Sequence, residues 1–172
     1  MASPFRPAQT LMVQYAQYHR DRRNIATHWV GIPLIIVALG VWLAAPLPGL
    51  ASLSWGALFW ALSTAWYLGR GALLLGAATA LFNGVMILLG MQLAALTPLW
   101  GMGPALLGLL VFVIGWAFQF LGHLWEGRKP AFADDVVGLL VGPMFLVGEA
   151  LMVMGLLAPM REQIAREAGA LR

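Results

Sequence analysis

The chain has 172 residues, 61% of them hydrophobic and only 10% charged, where a soluble domain carries about 45–50% apolar and about 25% charged residues. Between Asn24 and Trp125 the one charged side chain is Arg70, so a soluble globule, a disordered chain and a coiled coil are excluded. The chain lacks cysteine, which removes disulfides, zinc–thiolate sites, iron–sulfur clusters and cysteine nucleophiles. The net charge of +3 comes from nine Arg and one Lys near the ends of apolar segments. That placement suits orientation in a bilayer and not nucleic-acid binding.

The expected fold is all-α, a polytopic transmembrane helical bundle of about five apolar segments. Residues 1–28 form a cytoplasmic or interfacial helix and turn, 29–160 the transmembrane domain, and 161–172 a short charged tail. The first segment runs from Trp29 to about Ala45 and stops at Pro46 and Pro48. It is a retained span and not a signal peptide, because the polar lead is too long. The second covers about Leu53 to Leu68, followed by the polar turn Gly69-Arg70-Gly71. The third covers about Ala72 to Leu96, and the fourth about Ala105 to Gly122. A polar loop from His123 to Asp135 leads into the fifth, Val136 to Met160. Pro143, Glu149 and the glycines at 138, 142, 148 and 155 give this last segment the features of a broken or re-entrant one.

Lys and Arg favour the cytoplasmic side of short loops. Arg6, Arg20, Arg22 and Arg23 precede the first span, Arg70 follows the second, and Arg128 and Lys129 follow the fourth. The N-terminus is therefore placed inside. Arg161, Arg166 and Arg172 strain this alternation if the fifth segment crosses.

The same topology puts the three histidines, His19, His28 and His123, at the cytoplasmic boundary. His19 and His28 are nine residues apart, about half a turn out of phase and ~13 Å apart on a continuous helix. They converge only if the chain breaks between them, and Asn24 is placed to cap a helix beginning at Ile25. His123 and Glu126 share a helical face if the fourth segment continues. Two or three histidines with carboxylate or water and open positions suit mononuclear non-haem Fe(II). Taken singly, each histidine reads first as an interfacial ring half in water. Glu149, inside an apolar segment, is either an ionisable functional group or a protonated glutamate packing two helices. Asp134 and Asp135 either cap the fifth segment or reach the histidines. Gln119, one turn before His123, bonds either a ligand or a neighbouring helix. Gly138 and Gly142 form a small-residue packing motif.

Tyr18-His19, Asn24, His28 and Pro33 resemble the N-terminal signature of a known family. Gly115, Trp116, Gln119, Phe120, Gly122 and His123 resemble its second signature, continued by Glu126, Pro130-Ala131, Asp134, Pro143, Phe145 and Glu149. The family is that of the membrane proteins typified by the fungal 2-hydroxy fatty acid dioxygenase, and this chain looks like its bacterial branch. One departure is the three-residue step from His123 to Glu126, which is four in the fungal pattern. The resemblance implies an Fe2+-dependent dioxygenase of the bacterial inner membrane. It would convert a long-chain 2-hydroxy fatty acid and O2 to the acid one carbon shorter and CO2. His19, His28 and His123 would hold the iron, with Asn24, Gln119, Glu126, Asp134 and Glu149 as supporting groups or carboxylate ligands. Arg20, Arg128 or Lys129 would hold the substrate carboxylate, with the acyl tail among the apolar spans. A non-catalytic lipid-binding or scaffold protein and a haem-binding electron carrier are the alternatives.

Overall fold

A computed structural model describes residues 3–172, with Ala51 described by its backbone alone; Met1 and Ala2 of the expected N-terminal segment lie outside the described residues. Among the described residues seven α-helices follow one another: α1 (Ala8–Ala16), α2 (Arg22–Trp42), α3 (Trp55–Leu68), α4 (Leu73–Leu96), α5 (Pro104–Glu126), α6 (Gly138–Val153) and α7 (Ala158–Ala168). A two-stranded antiparallel hairpin, β1 (Pro46–Leu47) and β2 (Leu50–Ser54), joins α2 to α3.

Three helical stretches are long and apolar enough to cross a membrane: Arg22–Trp42, Leu73–Trp100 and Pro104–Glu126. The bent pair α6 and α7 makes a fourth if it is counted as one span. This corrects the expectation of five. The second apolar segment becomes α3, whose 14 residues extend ~21 Å at 1.5 Å per residue, short of a ~30 Å hydrocarbon core. The fifth breaks at residues 154–157, where the chain bends by 115° and brings α7 against α1. The tail then bonds to the segment carrying His19, through Arg172 N–H to Arg20 O at 2.7 Å and Arg22 N–H to Arg172 O at 3.1 Å. Arg172 therefore lies at the same end of the bundle as the histidines, which relieves the conflict in the charge alternation.

Two helix boundaries also differ from the sequence reading. The side chain of Asp21, not Asn24, caps α2 by accepting the Arg23 N–H at 2.8 Å, because Asn24 is turned inward to other partners. α5 continues four residues past Gly122, so His123 sits in its last turn, and Gly127 in the left-handed region (φ 69°) ends it.

α2 is the central helix, packed along α5 on one side and α4 on the other. Small residues permit both approaches. A Cβ on Gly31 would lie 2.7 Å from Gly115 O, and one on Gly115 would lie 2.9 Å from Gly31 O. On the other side, a Cβ on Gly90 would lie 2.8 Å from the Cα of Gly40. These backbone contacts fix the axial position of α2 against α5, and so of His28 against His123.

Candidate metal centre

Three segments each bring one imidazole to a single point. After α1 the chain turns tightly, with the Tyr18 and His19 N–H groups bonded to Tyr15 O and Ala16 O at 3.0 Å each. His19 thus stays one turn from Tyr15, and its Nδ1 faces Tyr15 O at 2.8 Å. His28, in α2, has Nδ1 2.8 Å from Asn24 O. His123, in α5, has Nδ1 3.2 Å from Arg128 O. A carbonyl oxygen can only accept, so each Nδ1 carries the proton and each Nε2 holds a lone pair.

The Nε2 atoms of His19 and His28 lie 3.1 Å apart. Facing lone pairs at that distance repel, and neither neutral ring can donate across the gap without giving up its carbonyl. Ring centroids are 4.6, 4.9 and 5.2 Å apart for the three pairs, and one ligand atom from each residue lies within 4.8 Å of the others. The donor set fits a cation. Nitrogens ~2.1 Å from one ion stand about 3 Å apart when their bonds are near a right angle. Backbone carbonyls behind ligating imidazoles fix tautomer and orientation at metal sites. Burial, and after it the cost of placing a second positive charge beside His28, pushes His19 well below the ordinary imidazole range, so no proton need leave it before an ion binds. Imidazoles suit zinc, copper, iron and nickel alike. Among the described residues the cluster is three histidines with no carboxylate.

Glu126 lies beside the triad but faces away from it. Its Oε2 accepts the backbone N–H of Asp21 at 2.8 Å and of Arg20 at 3.0 Å, and the Asn24 amide at 3.1 Å. Its Oε1 accepts from Arg172 at 2.8 Å. The carboxylate therefore ties the His19 turn, the start of α2, the end of α5 and the tail together. Asn24 also donates to Tyr18 O at 3.3 Å.

The basic residues at this end of the bundle are engaged with other groups. Arg20 donates to His19 O and Gly169 O, both at 2.9 Å. Arg128 donates to Gln17 O at 2.8 Å, with its guanidinium 4.0 Å from the Tyr18 ring centre. Lys129 pairs with Asp134, which accepts from Tyr18 Oη at 2.8 Å. Asp135 accepts the Val137 N–H at 3.1 Å and pairs with Arg6, so it is Asp135 that braces the approach to α6. Glu149 is half-buried, facing the charges of Arg20 and Arg161.

A cavity of about 510 Å³ opens next to the triad between α2, α3, α5 and α6, lined mostly by apolar groups such as Ile36, Phe59, Phe112 and Leu140. Tyr15, Ile32 and Gln119 also line it, and each lies four residues from one of His19, His28 and His123. These three residues form a layer of the cavity wall about one helical turn from the imidazoles. Tyr15 stacks on His19 with ring centres 4.1 Å apart and planes 5° from parallel. The sequence reading passed over Tyr15; its four-residue step to His19 was the available signal.

Residues 5–154 match the sequence profile of the Mpo1-like family, described as 2-hydroxy-palmitic acid dioxygenase Mpo1-like. The chain belongs to that family. It is 30% identical over 156 residues to the 2-hydroxy-palmitic acid dioxygenase MPO1 of Saccharomyces cerevisiae, covering 89% of this chain and 84% of the yeast protein. No solved structure matches. All three histidines, the Tyr15–Ile32–Gln119 layer and Glu126 fall within the residues matched to the Mpo1-like profile.

Proposed function

We propose that this Mpo1-like protein is a membrane dioxygenase that oxidises a long-chain 2-hydroxy fatty acid. The acid and O2 would yield the acid one carbon shorter, CO2 and water, and the substrate supplies all four electrons, so 2-oxoglutarate is not needed. The observation that carries this reading is the convergence of three unprotonated Nε2 atoms beside an apolar cavity.

His19, His28 and His123 would hold a divalent iron, which when bound supplies the electron exchange with O2 that no side chain of this chain can provide. The residues do the rest. Three backbone carbonyls hold the imidazole tautomers, and Glu126 holds the turn that carries His19. The cavity receives the acyl chain and keeps water from the reacting carbon. The hydroxyl and carboxylate of the substrate are then presented at the triad, at the end of the apolar space. Arg20 and Arg128 leave positive charge at the histidine end of the bundle, where an anionic head group would approach. The basic residues of both chain ends favour a cytoplasmic location for this end. Ring centres 4.6 to 5.2 Å apart leave no slot for a macrocycle, which speaks against haem.

The test is incubation of iron-loaded protein with 2-hydroxypalmitic acid in 18O2, read by mass spectrometry. Labelled pentadecanoic acid, formed by wild type and not by His123→Ala, supports the proposal. Recovery of unchanged 2-hydroxy acids of every chain length favours the lipid-binding alternative.

A further inference from the structure

The layer of the cavity wall about one helical turn from the imidazoles is not uniformly apolar. Ile32 is apolar, but Tyr15 and Gln119 bring a phenol and an amide to it. Both residues are more than nine-tenths buried, at 8% and 6% exposure. Gln119 Nε2 is packed against Gly31 without a hydrogen-bond partner, and the Tyr15 hydroxyl donates to none of the described residues while its backbone carbonyl serves His19. That hydroxyl stands over Gly142, where a Cβ would come within 3.1 Å of it. Any larger residue at 142 would crowd the phenol. A donor sealed from water without a partner, as the Gln119 amide nitrogen is, is costly, and donors left free beside a cavity, as the Tyr15 hydroxyl is, are the ones a bound ligand satisfies.

An acyl chain in this cavity, with its head group at the triad, passes this layer one turn from the imidazoles. The basic side chains at this end of the bundle are engaged with Gln17 O, His19 O, Gly169 O and Asp134, and none of them lines the cavity. The neutral donors of the layer have no such engagement. Resting on the proposed function, we infer that Tyr15 is a positioning residue for the substrate head group, its hydroxyl donating to a carboxylate oxygen at the cavity mouth with the Gln119 amide beside it. The layer would then distinguish an acid from a plain hydrocarbon. Because the ring itself stacks on His19, removing only the hydroxyl leaves the metal ligands as they were.

The test compares wild type, Tyr15→Phe and Gln119→Leu as full-length, iron-loaded protein in nanodiscs without oxygen. Metal content is measured first, then affinity for 2-hydroxypalmitic acid and for hexadecane. The expected result for Tyr15→Phe is unchanged iron, about tenfold weaker binding of the acid and unchanged binding of hexadecane. In turnover, KM rises about tenfold with little change in kcat. Gln119→Leu, which keeps most of the volume, should show the same selectivity to a smaller degree and serves if the phenylalanine variant does not fold. Equal affinities in wild type and Tyr15→Phe, or equal weakening for both ligands, would overturn the inference while leaving the proposed function intact. If wild type itself binds the acid no better than hexadecane, the proposed function fails and the inference fails with it.

Discussion

The Nε2 atoms of His19 and His28 face one another at 3.1 Å, with both Nδ1 protons committed to the carbonyls of Tyr15 and Asn24. The pair is poorly matched to itself and well matched to a shared cation. A divalent ion should therefore stabilise the fold. At 100 times its Kd it adds about 2.7 kcal/mol. Thermal denaturation in detergent should show Tm falling after dialysis against a chelator and recovering with Fe2+. In His28→Ala both changes should vanish.

Glu126 should matter for stability more than for chemistry. Glu126→Ala strands the N–H groups of Arg20 and Asp21, each at about 1–3 kcal/mol, for a total of about 2–6 kcal/mol. Glu126→Gln keeps an acceptor oxygen and should retain most of the metal. Denaturation midpoints together with metal content separate the two variants. Loss of iron in a Gln variant as stable as wild type would instead make the carboxylate a ligand.

The crossing of α2 and α5 leaves no room at Gly115, where a Cβ would lie 2.8 Å from Ile35 Cγ1 and 2.9 Å from Gly31 O. Gly115→Ala should cost about 1–3 kcal/mol through overpacking and loosen metal binding by separating His28 from His123. Gly103→Ala, with nothing within 4 Å of its Cβ position, is the control. Titration of the two variants with metal should show weakened affinity in the first alone.

Arg22 begins α2 and Lys129 follows α5, and the 5.2 Å separation of the His28 and His123 rings places these two helix ends together. Cysteines substituted at Arg22 and Lys129 should therefore react with an impermeant reagent from the same side, which the charge pattern predicts to be the cytoplasmic one. Labelling from opposite sides would break the topology.

Charge placement is enough to bring His19, His28 and His123 to one boundary, and their spacing is enough to require a break between the first two. The cap of α2 is less legible, since Asp21 and Asn24 are both good capping residues and only the position of Glu126 decides which one turns inward. The half-length of α3 is hidden because its apolar run resembles a span, and the hairpin from Pro46 to Ser54 carries no alternating pattern long enough to announce a strand. Glu126 shares a helix face with His123 in sequence, yet its carboxylate follows the backbone donors of Arg20 and Asp21, which come from a segment about a hundred residues earlier. Tyr15 reads as an ordinary apolar position of α1 until its ring is found stacked on His19.

The most direct test of the central claim is metal analysis of protein purified without oxygen, for wild type and for His19→Ala, His28→Ala and His123→Ala. One iron per chain in wild type is expected. Each single substitution should lose it, because two imidazoles no longer enclose the ion. A wild-type protein that takes up no divalent metal, or three variants that all keep a full equivalent, would contradict the account.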